Sequence, residues 1–205
     1  MTLSIPVPDP VITQPFGQDN TNHHLRKNFY ALFDNLHPGI DFGCPIGIKV
    51  YASYNGIVVR KEFHKGMGNV IGTRHGNIII LYAHLSKFSV EMADKIKKGQ
   101  LIGLSGDTGE AYTEPHLHFE VRDLTKNQLK DMVFKPEFDK NLKQFKKEFI
   151  YQVNNANTQK TPIFLAKRYF GDSKYWRKIL DINPNLSKNP DKIIDNASKI
   201  IIPNY

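Results

Sequence analysis

Between Ile48 and Leu85 the chain advances in short β-branched and aromatic runs, "IKVYASYNGIVVRKEF" and "NVIGTRHGNIIILYAHL". Asn-Gly, Lys-Gly and His-Gly-Asn separate them at roughly hairpin spacing, and these residues supply the positive φ that tight hairpin turns demand. "KIKKGQLIGLSG" and "PHLHFEVRD" continue the series. The pattern predicts an antiparallel β domain with little helix.

The flanks read differently. Residues 1–36 are irregular, with several prolines and the polar stretch "GQDNTNHHLRKN", and are expected to pack on a β core spanning 37–134. After Asp123 the chain turns Lys-rich and loses strand alternation, so residues 135–149 read as a connector. Residues 150–205 alternate short strand and helix patterns: "IYQV", "PIFLAKRYF", "SKYWRKILDIN" and "SKIIIP". Pro162 suits the first turn of a helix and Gly171 its end, which predicts a small βααβ module.

Charge and histidine divide along the same line. Residues 1–134 hold 14 Lys+Arg against 13 Asp+Glu, whereas residues 135–205 hold 14 against 7. All eight histidines lie at or before position 118. Chemistry therefore belongs to the β domain and basic character to the C-terminal third. The single cysteine, Cys44, excludes an internal disulfide and a multi-cysteine zinc site, and fits a small packed hydrophobe. The N-terminus has neither the basic nor the apolar region of a secretory signal, and no apolar run is long enough to cross a membrane. The expectation is a chain without a signal peptide or membrane insertion, acting as a monomer.

Strand alternation places His116 and His118 on one face, with Leu117 and Phe119 on the other. Alone, that stripe fits either a site or a solvated surface. In "HPGIDFG", Pro38-Gly39 forbids a helix, so His37 and Asp41 flank a turn entering a strand, both turned toward one point. Imidazole and carboxylate suit zinc, and three protein ligands with an open position describe a catalytic site. The HxH strand is the obvious donor of the third ligand, and one or both of its histidines fit by geometry. His84 in "LYAHLS" ends an apolar strand, a position that taken singly fits a structural histidine as well as a catalytic one. The three segments together form an ordered set.

These segments, with "GNVIGTRHGN" and "IKKGQLIGLSGDTGE", resemble the lysostaphin-type zinc peptidoglycan endopeptidases over residues 37–122. The resemblance implies a lysostaphin-type peptidase fold and one Zn2+ bound by His37, Asp41 and His118. It leaves His84 and His116 beside the metal as catalytic residues that orient or deprotonate water, stabilise the oxyanion and return a proton to the leaving amine. It implies as substrate the peptide cross-links of bacterial peptidoglycan. A non-catalytic wall-binding or phage-tail protein that kept the fold is the alternative, and the intact histidines and aspartate favour the enzyme. Without an export signal, a phage endolysin or virion-associated lysin is expected, cytoplasmic until released or virion-borne, and acting at the cell wall.

Residues 150–204 resemble a LysM module, which implies glycan binding by the βααβ unit. Where such modules usually read Gly-Asp-Thr, this chain has Gln159-Lys160-Thr161. The basic charge is scattered without a nucleic-acid motif, so a carboxylate-rich wall is the expected partner and nucleic acid is not. Trp176 reads as core. Other histidines carry less: His23 and His24 read as loop residues, exposed to solvent or else contacting substrate, and His75 as a turn residue. "GLSGDTGE" lacks the Lys of a phosphate loop and reads as a hairpin loop at the site rim. Asn20 and Asn22 would suppress activity if either reached the metal, but read as turn residues.

Overall fold

The computed structural model describes residues 1–8, 10, 12–21, 29–110, 115–139, 148–152, 161–170, 173–195 and 198–203. Asn22, His23, His24, Gln159, Lys160 and Gly171 lie outside the described residues. The chain divides into two compact units, Met1–Phe145 and Lys146–Tyr205.

The first unit contains strands β1 (Ile12–Gln14), β2 (Ile40–Gly43), β3 (Lys49–Tyr51), β4 (Gly56–His64), β5 (Gly68–His75), β6 (Ile78–Leu85), β7 (Lys87–Phe88), β8 (Lys95–Ile96), β9 (Leu101–Leu104) and β10 (His116–Asp123). One short helix, α1 (Leu129–Met132), follows. Among the described residues seven strands form one sheet in the order β1-β2-β10-β6-β5-β4-β8, and three form a smaller one, β3-β9-β7. All these pairings are antiparallel, as the turn chemistry predicts.

The apolar core lies on one face of the large sheet. Leu117, Phe119 and Val121 of β10 alternate into it and meet Phe42, Tyr82, Ile80 and Ile102. The ring of Phe119 packs tilted or edge-on against Tyr82 at 5.4 Å and Phe42 at 6.2 Å, the geometry that opposed aromatic quadrupoles favour. Fully burying side chains of this size contributes about 1.5–3 kcal/mol each. This anchors β10, and with it the alternate residues His116, His118 and Glu120 on the opposite face. That face is also buried, beside a small cluster of Val70, Leu81 and Ala83.

Two expectations change. The N-terminal segment is irregular by composition, yet Ile12–Gln14 adds a strand to the large sheet, with Ile12 opposite Phe42 and Gln14 opposite Asp41. Pro10 and Pro15 flank the three residues, and an edge position tolerates prolines that a central strand would exclude. The "GLSGDTGE" stretch does not link neighbouring strands of one sheet: β9 and β10 belong to different sheets, and an isolated antiparallel bridge pairs Gly106 with His116.

The second unit shows the predicted βααβ order. Strands β11 (Glu148–Gln152) and β12 (Lys199–Pro203) pair antiparallel, with α2 (Pro162–Phe170) and α3 (Trp176–Ile182) between them in sequence. Pro162 opens α2, and the Thr161 hydroxyl caps it by accepting the Phe164 N–H at 3.1 Å. Asn183 ties α3 to β12: its Nδ2 donates to the carbonyls of Ile179 and Ile201, and its Oδ1 accepts the Ile201 N–H, all at 2.7 Å. Leu165, Ala166, Ile179, Ile194, Ile200 and Ile202 form this unit's core, with Trp176 packed against it. No described helix is long and apolar enough to cross a membrane.

Candidate metal centre

Register brings the predicted residues together. His118 on β10 stands directly opposite Asp41 on β2 and opposite Ala83 on β6. The chain reaches Asp41 from His37 through Pro38 and Gly39. At Gly39 an added Cβ would lie 2.4 Å from the Phe119 carbonyl oxygen and 2.9 Å from the His118 ring, so only glycine lets the turn approach β10 this closely. His37 thereby folds back over the strand it precedes.

Three donor atoms converge. His37 Nε2 lies 3.1 Å from Asp41 Oδ1 and 3.1 Å from His118 Nδ1, and His118 Nδ1 lies 2.8 Å from Asp41 Oδ1. All three side chains are buried. Zinc bonded at about 2.0–2.2 Å in a tetrahedron separates its ligand atoms by about 3.3–3.6 Å. The observed triangle is a few tenths of an ångström tighter, as expected where a hydrogen bond spans the ligands.

The outer nitrogens decide how the inner ones point. His37 Nδ1 lies 3.0 Å from the Pro15 carbonyl, which can only accept, so Nδ1 carries a hydrogen and Nε2 presents its lone pair inward. His118 Nε2 lies 3.2 Å from Glu120 Oε2, which likewise leaves Nδ1 facing Asp41 and His37. Two imidazoles oriented this way, with one carboxylate, fit a zinc ion.

His116 and His84 stand beside the triangle. His116 Nε2 is 3.8 Å from Asp41 Oδ1, and its ring centroid is 4.6 Å from that of His84. His84 Nδ1 donates to the Thr108 carbonyl at 2.7 Å, leaving Nε2 as the acceptor. Simple alternation from Tyr82 would drive His84 into the apolar core. Instead β6 carries an extra residue: Asn69 pairs with Leu85 and Ile71 with Tyr82, so Val70 faces both Ala83 and His84. His84 takes φ 60° at this bulge, a left-handed conformation that glycine adopts far more easily. The bulge turns its ring toward His116 and His118, while Leu85 returns to the core.

Electrostatics follow from burial and crowding. Burial pushes the Asp41 carboxyl up, but the neighbouring His37 and His116 rings and hydrogen bonds from His118 and His37 overcome it and hold it well below the usual range. Burial pushes His118 down, and its contacts with Asp41 and Glu120 reverse this, raising the metal-free ring to about 9. His84 moves the other way: burial, then the proximity of His116 and His118, hold it well below 6.5, so it is neutral near pH 7.

The Asn20 amide is engaged by its neighbours in the N-terminal segment. Its Oδ1 accepts from Gln14 Nε2 and its Nδ2 donates to the Gln18 carbonyl, both at 2.9 Å. His75 closes β5 at the turn before β6, where Tyr54 packs edge-on at 4.8 Å. The Cys44 thiol is pushed up to about 11, chiefly by burial, and offers no thiolate near neutral pH. Glu120, and the carbonyls of Pro15 and Thr108, are site contributors that sequence reasoning missed. Alternation from His118 pointed to Glu120, whereas main-chain acceptors leave no residue signature.

Comparison with known proteins converges on the same region. The model for peptidase family M23 matches residues 35–131. Peptidoglycan DD-endopeptidase ShyA of Vibrio cholerae is 48% identical over 86 residues, which cover 42% of this chain and 20% of ShyA. A solved zinc-containing peptidase from Vibrio cholerae aligns at 29% identity with a TM-score of 0.52, covering 66% of this chain and 39% of that one. The solved structure of LytU aligns at 32% identity and a TM-score of 0.51, covering 62% of this chain and 81% of LytU.

Proposed function

Because the chain belongs to peptidase family M23, we propose that it is a zinc-dependent endopeptidase that hydrolyses peptide cross-links of bacterial peptidoglycan. The observation that carries the proposal is the buried triangle of His37 Nε2, Asp41 Oδ1 and His118 Nδ1. These three residues would hold one zinc ion. When bound, zinc supplies Lewis acidity that polarises the scissile carbonyl and makes attack by water feasible near neutral pH.

The remaining work falls to side chains. His84, kept neutral and with Nδ1 engaged by Thr108, presents Nε2 as a proton acceptor for the attacking water. His116, next to it and to Asp41, is placed to orient the water or to stabilise charge developing on the carbonyl oxygen. A proton held by either imidazole can then pass to the leaving amine. The strand supports this division, since same-face residues stand about 6–7 Å apart, enough for His118 to reach the metal while His116 reaches substrate.

The second unit is proposed to retain the enzyme on wall glycan. Its βααβ order and the excess of Lys+Arg, 11 against 5 Asp+Glu over residues 146–205, support attraction to a carboxylate-rich polymer. The proposed setting is a phage lysin that reaches the wall from a lysing cell or a virion. Incubation of the zinc-loaded protein with defined cross-linked muropeptides, followed by mass spectrometry, tests the activity. Products shortened at a cross-link with a new amino terminus are expected, and intact muropeptides would refute it.

A further inference from the structure

Four alternate residues of β10 share one face: His116, His118, Glu120 and Arg122. The first two belong to the site. Glu120 is 1% exposed, and a carboxylate so far from water is retained only at a cost of several kcal/mol unless its oxygens are matched. Both are matched, and by different partners. Oε2 faces His118 Nε2 at 3.2 Å, and Oε1 accepts from Arg122 Nε. The Arg122 guanidinium in turn lies 6.0 Å from the centroid of the Phe33 ring, which limits its freedom to swing away.

We propose that Glu120 is a positioning residue for the metal, acting through His118, and that Arg122 holds Glu120 in place for that task. The inference rests on the zinc-centre reading and deepens it. A carboxylate on the outer nitrogen does two things to an imidazole. It fixes the tautomer, so that Nδ1 and not Nε2 offers the lone pair, and it makes that lone pair a stronger donor. His37 leans on the neutral Pro15 carbonyl, so its outer contact is weaker in charge. The two histidine ligands are therefore unequal, and His118 is the stronger. Arg122 balances the buried charge and fixes the direction of the carboxylate, so that Oε2 is left to the ring.

A Glu120–Arg122 pair serving the fold alone would present the same contacts, and zinc affinity separates the roles. Zinc-free full-length protein is titrated with zinc against a chromophoric chelator, and the Co2+-substituted protein is followed by visible absorption. Glu120→Ala is expected to weaken zinc about 10–100-fold and to shift the cobalt bands. Glu120→Gln, which keeps shape and an acceptor oxygen but lacks the charge, should fall between Ala and the unsubstituted protein. Arg122→Met should weaken zinc less than Glu120→Ala does. If Glu120→Ala does not fold, Glu120→Gln decides. Zinc affinity within about twofold of the unsubstituted protein, with unchanged cobalt bands, overturns the role of Glu120 even if the variant melts earlier. Failure of the unsubstituted protein to bind zinc would instead overturn the metal centre itself.

Discussion

At the scale of single residues, His116 and His118 are chemically identical and two positions apart, yet their surroundings differ, as the proposed division of labour requires. His118 faces Asp41 Oδ1 at 2.8 Å and is backed by Glu120, whereas His116 Nε2 stays 3.8 Å from the same oxygen, beside His84. His118→Ala is expected to lose stoichiometric zinc, while His116→Ala keeps most of it and loses activity, as metal analysis and a hydrolysis assay would show. Equal zinc loss in both would reverse the assignment. Proton linkage gives a second check. The metal-free His118 ring, raised to about 9, holds a proton between pH 6.5 and that value which a metal must displace. Zinc affinity should thus climb by about tenfold per pH unit through this window and flatten above it. The same proton stabilises the metal-free fold fully below pH 6.5, and that contribution fades as pH rises through about 9. Calorimetry in buffers of different ionisation enthalpy should register about one proton released per zinc near pH 7.

At the scale of elements, the site depends on one register and one irregularity. The convergence of His37, Asp41 and the HxH strand on one site was legible, because Pro38-Gly39 excluded a helix and alternation put His116 and His118 on one face, but the β2–β10 register itself was not. Nor was the bulge in β6. "LYAHLS" carries no glycine or other bulge signature, and alternation alone would have buried His84 with Tyr82. The conformation is imposed by pairing on both sides, with Asn69 opposite Leu85 and the Thr108 hydroxyl donating to the Leu85 carbonyl at 2.9 Å. Gly68 and Gly109 lie so close that an added Cβ at either would meet backbone at 2.3 Å, which holds the Thr108 loop against β5. Because His84 sits at φ 60°, His84→Gly should be more stable than His84→Ala by about 1 kcal/mol, with both inactive. Thermal melting of the two purified variants checks this, and a higher Tm for the alanine variant would show that the backbone is not strained there.

At the scale of the whole chain, chemistry and charge divide along the sequence at 134/135, whereas the compact units divide between Phe145 and Lys146. Turn chemistry revealed the antiparallel β domain, and helix-start chemistry at Pro162 revealed α2. What stayed hidden was the contribution of distant main-chain groups, since Pro15 and Thr108 reach His37 and His84 only after β1 and the loop that carries Thr108 are in place. The basic second unit predicts that sedimentation with insoluble peptidoglycan weakens as salt rises, because exposed charges act over about 10 Å at 0.1 M ionic strength. Retention unchanged up to 1 M salt would remove the electrostatic part of the wall-binding account. Zinc dependence of the first unit is tested by stripping the protein of metal and restoring zinc stepwise while cross-link cleavage is followed. No cleavage is expected without metal, with activity rising in proportion to bound zinc up to one ion per chain. Full cleavage by the stripped protein, or none after zinc is restored, would contradict zinc dependence.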